Sequence, residues 1–289
     1  MIELPLSIFT KDNDFPFFVN LGAEEKDLYM HLHSDFSELV VVQNGTATHC
    51  VGDEQYFVRK GDVFVINRGT GHGYKNTNDF YIYNIMYRPE NVIYFDSDIR
   101  KLAGFHALFV IEPYLAKSQN FKSRLQLTLD DFEKINNIIT NMIDEYKKKE
   151  NGWKMTVRAY FMLIIVALSR KYSMPEHDTK ENIINMAKAV SYMENNYTEH
   201  IAIDELAAQM YISERHFSRL FKQTYQITPG NYILNLRMHY ACELLKNSQL
   251  SIADVAFKSG FGDGNYFARQ FGRIFGVTPR EYRKRGIEL

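Results

Sequence analysis

Residues 203–289 repeat themselves at a spacing of 50. Phe217-x-Arg219-x-Phe221 returns as Phe267-x-Arg269-x-Phe271, Thr228-Pro229 as Thr278-Pro279, and Tyr232 as Tyr282. Upstream the offset is 49, with Ile203, Leu206 and Ala207 matching Ile252, Val255 and Ala256, so the second copy carries one extra residue in its turn. Identity at this many positions constrains the segment to two copies of one supersecondary unit.

Each copy has the same grammar. A short helix (Ile203–Met210; Ile252–Lys258) carries a small Ala that permits close packing. A tight turn follows, Tyr211-Ile212 in one copy and Gly260-Phe261-Gly262 in the other, and a second helix opens with an N-cap residue, Ser213 or Asp263. That is a helix-turn-helix, whose second helix enters the DNA major groove with its first residues facing base edges. Phe217, Leu220 and Phe221 make the apolar stripe of the first copy and leave Arg215, Ser218, Arg219 and Lys222 outside. In the second, Phe267, Phe271 and Ile274 are expected in the core, with Asn265, Tyr266, Arg269 and Arg273 outside. One basic amphipathic helix is ordinary solvated surface; two at the same register of a repeat point to a nucleic-acid partner.

Ile252-Ala253-Asp254-Val255-Ala256, Gly260-Phe261, Tyr266-Phe267-x-Arg269-x-Phe271 and Phe275-Gly276-Val277-Thr278-Pro279-x-x-Tyr282-Arg283 resemble the signature of AraC/XylS-type transcription regulators. The resemblance implies a seven-helix DNA-binding unit in which two helix-turn-helix motifs, joined by a helix over Asn231–Leu245, read successive major grooves. It places the base-reading positions on Arg215, Ser218 and Arg219, and on Gly264, Asn265 and Arg269. Gly264 has no side chain to read a base, so the second motif is expected to discriminate less.

The first third of the chain reads differently. Glu38–Gln43, Ala47–Val51, Gln55–Arg59, Val63–Ile66 and Phe80–Tyr87 are short β-forming runs, with turns at Asn44-Gly45, Gly52-Asp53, Lys60-Gly61-Asp62 and Arg68–Gly71. Strands this short and this regularly broken indicate a sandwich or barrel. From Thr128 the period becomes helical, with Phe132, Ile135, Ile138, Ile139, Met142, Ile143 and Tyr146 in one helix and Trp153–Tyr172 in the next. Their broad apolar surface predicts dimerisation through the helix holding Ile135, Ile138, Ile139, Met142 and Ile143. Ser173–Lys180 is polar, carries Pro175 and shows no period, as a linker would.

His31-x-His33-x4-Glu38-x6-Gly45 followed by Gly61-x5-Asn67-x-Gly69-x2-His72-x3-Asn76 resembles the two motifs of the cupin β-barrel, with Asn67 where Pro is usual. His31 and His33, two apart, share one face of a strand. In a cupin they point into the barrel with Glu38 and His72. In an AraC-type regulator such a pocket implies hydrogen-bonding partners for a small effector. Three imidazoles and a carboxylate are also a set able to hold Zn, Fe, Ni or Mn. The stretch from His31 through Asn78-Asp79 to Asn84–Glu90 resembles the rhamnose-sensing branch, which implies a sugar effector. Phe9, Phe15, Phe17 and Phe18 are expected to form an arm that closes over the barrel mouth.

Composition excludes several classes. With 45% hydrophobic and 24% charged residues the chain is neither disordered nor fibrous. Cys50 and Cys242 lie too far apart in sequence for a metal or redox spacing, which fits a reducing cytoplasm. No signal peptide is visible, and the longest apolar run, Phe161–Leu168, is far short of the roughly 20 residues of a membrane span. Residues 1–180 carry 21 Lys+Arg against 24 Asp+Glu, and residues 203–289 carry 12 against 8, an asymmetry that permits a DNA partner at the C-terminal end.

The sequence thus predicts a two-domain α+β protein. Residues 1–120 form a cupin-like barrel with an N-terminal arm, 121–172 a helical dimerisation segment, 173–182 a linker and 183–289 an all-α double helix-turn-helix domain. The expected function is a cytoplasmic, sugar-controlled, dimeric activator with double-stranded DNA and RNA polymerase as partners, no membrane and no cofactor. The alternative is a metal-dependent cupin enzyme, acting on a sugar or small acid, fused to a DNA-binding tail. Gly69-Thr70-Gly71-His72-Gly73 lacks the strand-to-helix context of a nucleotide loop, and no Gly-x-Ser-x-Gly elbow is present.

Overall fold

The computed structural model describes residues 2–23, 28–92, 98–115, 125–172 and 181–285. Contacts divide the chain into two compact units, Met1–Ala187 and Lys188–Leu289. The stretch 173–180, expected to be a linker, lies outside the described residues. No helix among the described residues is long and apolar enough to cross a membrane.

The N-terminal unit is an eight-stranded sheet followed by helices. Its strands are β1 (Ile2–Leu4), β2 (Phe17–Ala23), β3 (Leu28–His33), β4 (Ser37–Val51), β5 (Glu54–Arg59), β6 (Asp62–Ile66), β7 (Gly71–Tyr87) and β8 (Leu125–Gln126). The order is β1-β3-β7-β4-β6-β8, with β2 also on β7 and β5 also on β4. Two long strands carry this arrangement. β4 pairs with β5, β6 and β7, and β7 pairs with β2, β3 and β4.

The turn expected at Asn44-Gly45 is instead an irregularity inside β4, where register shifts occur between Val42 and Thr48. Gly45 sits at φ +73, and a Cβ there would stand 2.0 Å from the Asp79 carbonyl oxygen. β7 answers with its own irregularity, Asn76 and Asp79 having φ of 51 and 49. Asn44 Nδ2 donates to Asp79 Oδ2 at 2.7 Å and joins the two bends. The core between the faces holds Val40, Val42, Ala47, Val58, Phe64, Ile66, Tyr74, Phe80 and Ile82.

Two long helices follow, α1 (Leu129–Lys148) and α2 (Trp153–Tyr172). Thr128 caps α1 by accepting from the Asp131 N–H. Ile135, Ile139, Met142 and Ile143, expected at a dimer interface, are buried within the chain itself. The two helices pack on each other and on β2, and the Tyr146 hydroxyl donates to the Phe17 carbonyl. The uncovered apolar stripe lies on α2 instead, at Met155, Ala159 and Leu163.

The aromatic arm is also corrected. Phe15 and Phe17 are core residues, set against Trp153 and Phe161 with ring centroids 5.5 and 5.3 Å apart. β2 pairs along β7 over its whole length, from Phe17↔Tyr87 to Ala23↔Tyr81, which ties Phe17 and Phe18 into the sheet. Only Phe9 of the four reaches the cavity described below.

The C-terminal unit is all helical. Its elements are α3 (Glu181–Asn196), which crosses the boundary between units, α4 (Ile203–Gln209), α5 (Glu214–Tyr225), α6 (Pro229–Asn247), α7 (Ile252–Lys258), α8 (Gly264–Phe275) and α9 (Pro279–Arg285). Repeat-equivalent aromatics build equivalent cores. Phe217, Phe221 and Tyr232 touch in the first copy, and Phe267, Phe271 and Tyr282 in the second. The copies differ at their turns. Tyr211 and Gly260 hold the same left-handed place, at φ +56 and +88. Tyr211 is 90% exposed, whereas a Cβ on Gly260 would lie 2.7 Å from the Thr198 carbonyl oxygen. Arg237 clamps that backbone, donating from Nε to the Tyr197 carbonyl and from Nη2 to the Glu199 carbonyl.

Candidate functional site: a barrel cavity and two helix-turn-helix faces

Period-two alternation aims the polar residues of the barrel inward. Tyr29, His31 and His33 alternate on β3, Glu38, Val40 and Val42 on β4, His72 and Tyr74 on β7, and Ile82, Asn84 and Met86 further along β7. Of these, Tyr29, His31, Glu38, His72, Tyr74, Ile82, Asn84 and Met86 line a cavity of about 310 Å³. Ile2 and Leu4 of β1, with Phe9, complete the wall. β1 is held there by parallel pairing with the histidine strand, Ile2↔His31 and Leu4↔His33. Asp35 fixes the same segment, accepting from the Leu6 N–H at 2.8 Å and pairing with Arg88.

The four site residues expected from the motif come together. His33 Nε2 and His72 Nε2 are 3.3 Å apart, and Glu38 Oε2 is 3.7 Å from each. The nearest ligand-capable atoms of His31, His33 and His72 all lie within 4.8 Å of one another. His31 Nδ1 lies 3.0 Å from the Tyr29 carbonyl oxygen, an acceptor that keeps the proton on Nδ1. Burial holds the imidazoles neutral. His33 is pushed down to about 3 by desolvation and the neighbouring His31, and His72 falls well below its ordinary value for the same reasons plus the nearby His49.

Two cavity-region residues were missed from sequence. Asn84 is buried, and its Oδ1 has no hydrogen-bond partner among the described residues. His49 is fully buried on β4, stacked on Phe64 at 4.5 Å and Tyr74 at 4.9 Å, with its ring 5.7 Å from that of His72. Both follow from alternation, His49 between Ala47 and Val51 and Asn84 between Ile82 and Met86. Neither falls on a motif position.

In the other unit, the second helix of each motif carries its cap. Ser213 accepts from the His216 N–H and Asp263 from the Tyr266 N–H. Phe217, Phe221, Phe267 and Phe271 are buried, which turns Arg215, Arg219 and Lys222 on α5, and Asn265, Tyr266, Arg269 and Arg273 on α8, to the surface. Ser218 is half-buried. Ile274, expected in the core, is 40% exposed. Phe275 takes the inner position in the last turn, 4.5 Å from Phe271 and 5.9 Å from Tyr282.

Comparison with known proteins matches both units. A helix-turn-helix domain family covers residues 206–285 and a cupin domain family residues 17–85. The HTH-type transcriptional activator RhaS of Klebsiella pneumoniae (strain 342) is 29% identical over 252 residues, 87% of this chain and 86% of that protein. The HTH-type transcriptional activator RhaR of Mannheimia succiniciproducens is 27% identical over 259 residues, 90% of this chain and 88% of that protein. Among solved structures, a Chromobacterium violaceum transcriptional regulator with an AraC-type DNA-binding domain is 36% identical. It spans 35% of this chain and 89% of that one, with a TM-score of 0.32.

Proposed function

We propose that the chain is an AraC-type transcription regulator, an activator of transcription switched by a sugar bound in the barrel; its helix-turn-helix and cupin domains and its likeness to RhaS and RhaR along most of its length support that reading. The observation that carries the reading is the cavity. Its volume, about 310 Å³, sits at the lower end of small-molecule sites, which run to about 300–1,000 Å³. It mixes apolar walls (Ile2, Leu4, Ile82, Met86) with donors and acceptors (His31, Glu38, His72, Asn84), the combination a single polyhydroxylated ring needs. RhaS and RhaR are named as activators, and the chain covers more than four-fifths of each.

The DNA contacts are assigned to Arg215, Ser218, Arg219 and Lys222 in the first motif and Asn265, Tyr266, Arg269 and Arg273 in the second. The two motifs engage neighbouring turns of the major groove. A second copy of the chain covers the Met155–Ala159–Leu163 stripe of α2 in an isologous dimer, which gives the complex two pairs of motifs. Effector bound against Ile2, Leu4 and Phe9 favours one placement of the N-terminal segment, and the switch is that shift in population. The activated complex contacts RNA polymerase. A turnover-dependent enzyme reading has no support beyond the imidazole cluster itself.

A thermal-shift screen of the full chain against monosaccharides tests the proposal, since a ligand bound only by the folded state raises Tm. The expected result is one sugar that raises Tm and also tightens operator binding. A sugar panel that leaves both unchanged removes the reading.

A further inference from the structure

We propose that Arg237 is a positioning residue for DNA recognition: by tying the backbone at Tyr197–Glu199 to the turn of the second motif, it fixes the spacing at which the two reading helices meet the duplex. The inference rests on the DNA-reading assignment above and adds what holds the two motifs in register.

The two motifs share one strut. From the first motif α5 packs on α6, and from the second α7 and α9 do; among the described residues no helix of one motif packs comparably on a helix of the other. The first copy seats on Tyr232 of α6, and the second on Met238, Ala241, Cys242 and Leu245. Each copy is thus held to the strut by its own core, and bending or twisting of α6 between the two seats would change the distance and angle from α5 to α8. Arg237 stands between those seats. Its Nε donates to the Tyr197 carbonyl at 2.6 Å and its Nη2 to the Glu199 carbonyl at 2.7 Å. Its guanidinium carbon lies 5.9 Å from the centre of the Phe261 ring, within cation–π range. Phe261 in turn meets Phe267 at 5.1 Å and Tyr266 at 6.2 Å, both on α8.

The same joint is closed on both sides. Gly260 lies so near Thr198 that no side chain fits between them, and the Tyr197 ring rests 5.9 Å from that of Tyr240 on α6. One side chain therefore links the loop leading into α4, the strut, and the residues that seat the first turn of α8. The chemistry calls for arginine. Its planar fork offers two donors to two carbonyls at once and presents the same plane to an aromatic ring, whereas lysine is a point charge that cannot span both carbonyls. The first copy has no counterpart, since Tyr211, at the place of Gly260, is largely exposed. The joint thus belongs to the pairing of the motifs and not to the internal packing of either. Its effect is geometric. One base pair added between two half-sites moves the second by ~3.4 Å along the duplex and by ~35° around it, a shift that a braced pair of motifs cannot follow and a loosened pair can.

The test uses the full-length protein and the duplex it selects from a random pool, with two altered duplexes that carry one base pair more or one fewer between the two segments it protects. Affinities are compared at one fixed salt concentration. The wild-type protein is expected to lose about 30-fold or more on either altered duplex, as the base contacts of one motif go out of register. Arg237→Lys, which keeps the charge and the stem, is expected to bind the selected duplex about 10-fold more weakly and all three duplexes within about 3-fold of one another. Phe261→Leu, which keeps an apolar side chain but removes the ring that faces Arg237, is expected to loosen the spacing preference in the same direction, and it carries the test if Arg237→Lys does not fold. A folded Arg237→Lys protein that is weaker on every duplex by one common factor, with the wild-type preference intact, overturns the inference and leaves the DNA reading standing. So does a wild-type protein that binds all three duplexes equally, or a Phe261→Leu protein that keeps the full preference when Arg237→Lys is unfolded. A full-length protein that selects no duplex from the pool removes the DNA reading, and this inference with it.

Discussion

Gly260→Ala should be among the most damaging small substitutions in the C-terminal unit. The added methyl meets a backbone that disfavours it and a space that is already full. At φ +88 an L-residue costs ~1–2 kcal/mol. The new Cβ would stand 2.7 Å from the Thr198 carbonyl oxygen, 2.8 Å from its Cα and 2.9 Å from Arg237 Nε. Two of these are main-chain atoms, and the third belongs to the side chain that clamps Tyr197 and Glu199. Overpacking of this kind costs about 1–3 kcal/mol, for a total of ~2–5 kcal/mol. Hydrogen–deuterium exchange on peptides from residues 193–285 reads the loss as a fall in protection of about 30-fold or more. Gly262→Ala is the control. It sits two residues away with open space around its Cβ and no left-handed φ, so its effect should stay within about 0.5 kcal/mol. Tyr211→Ala, at the exposed equivalent of Gly260, should be equally mild. If Gly260→Ala protects as well as wild type, or if Gly262→Ala costs as much, the close packing of the second turn on Thr198 is not what holds it.

Other consequences can be measured separately. Arg219→Ala and Arg269→Ala should each cost about 1–3 kcal/mol on the operator and little on random DNA; equal losses on both would assign them to phosphate. Alanine at His31, Glu38 or His72 should blunt the response to effector with non-specific DNA binding intact, and a normal response from all three would move the pocket elsewhere in the barrel. Leu163→Glu should give a folded monomer in sedimentation, because Leu163 is 55% exposed, whereas Ile139→Glu should unfold the N-terminal unit, because Ile139 is fully buried. A Leu163→Glu protein that still sediments as a dimer would exclude the α2 face. His106 is pushed down to about 3 by desolvation and then by Arg100, against 6.5 unfolded. Its stability contribution is complete above pH 6.5 and falls as pH drops toward 3, by about 1.4 kcal/mol per pH unit. His106→Gln should therefore flatten the acid limb of the N-terminal unit between pH 6 and 4, and an unchanged slope would mean that His106 is charged in the folded protein.

The helical half was legible because a repeat reports each position twice. Ser213 and Asp263 could be read as caps, and the buried phenylalanines as core, from a single pattern. The barrel was legible in its motif residues but not in its strand lengths. The polar run Lys75–Asp79 hid the middle of β7, and Asn44-Gly45 looked like a hairpin turn because its partner bend, 35 residues away at Asp79, is invisible locally. The breadth of apolar surface on α1 was visible, but what covers it was not. Ile139 and Met142 are buried by α2 and the sheet, and sequence periodicity cannot distinguish a partner in the same chain from one in another. Ile274 failed for a smaller reason: at the end of a helix the inward-facing position passes to Phe275.

The division of labour between β4 and β7 also sets a timetable for the protein's synthesis. β2 has no partner until β7 exists some 60 residues later, and Phe17 and Tyr87 both wait for Phe161 on α2. The N-terminal unit therefore cannot close its core until nearly all of its residues have left the ribosome, and its β-rich intermediates stay open through that interval. The C-terminal unit faces no such delay, because α4 packs on α5, α7 on α8, and both pairs on α6, their neighbour in sequence. The half of the molecule made first is the half that finishes slowly, so a nascent chain stalled before residue 161 would expose the unfinished barrel, and it is there that a chaperone would be needed.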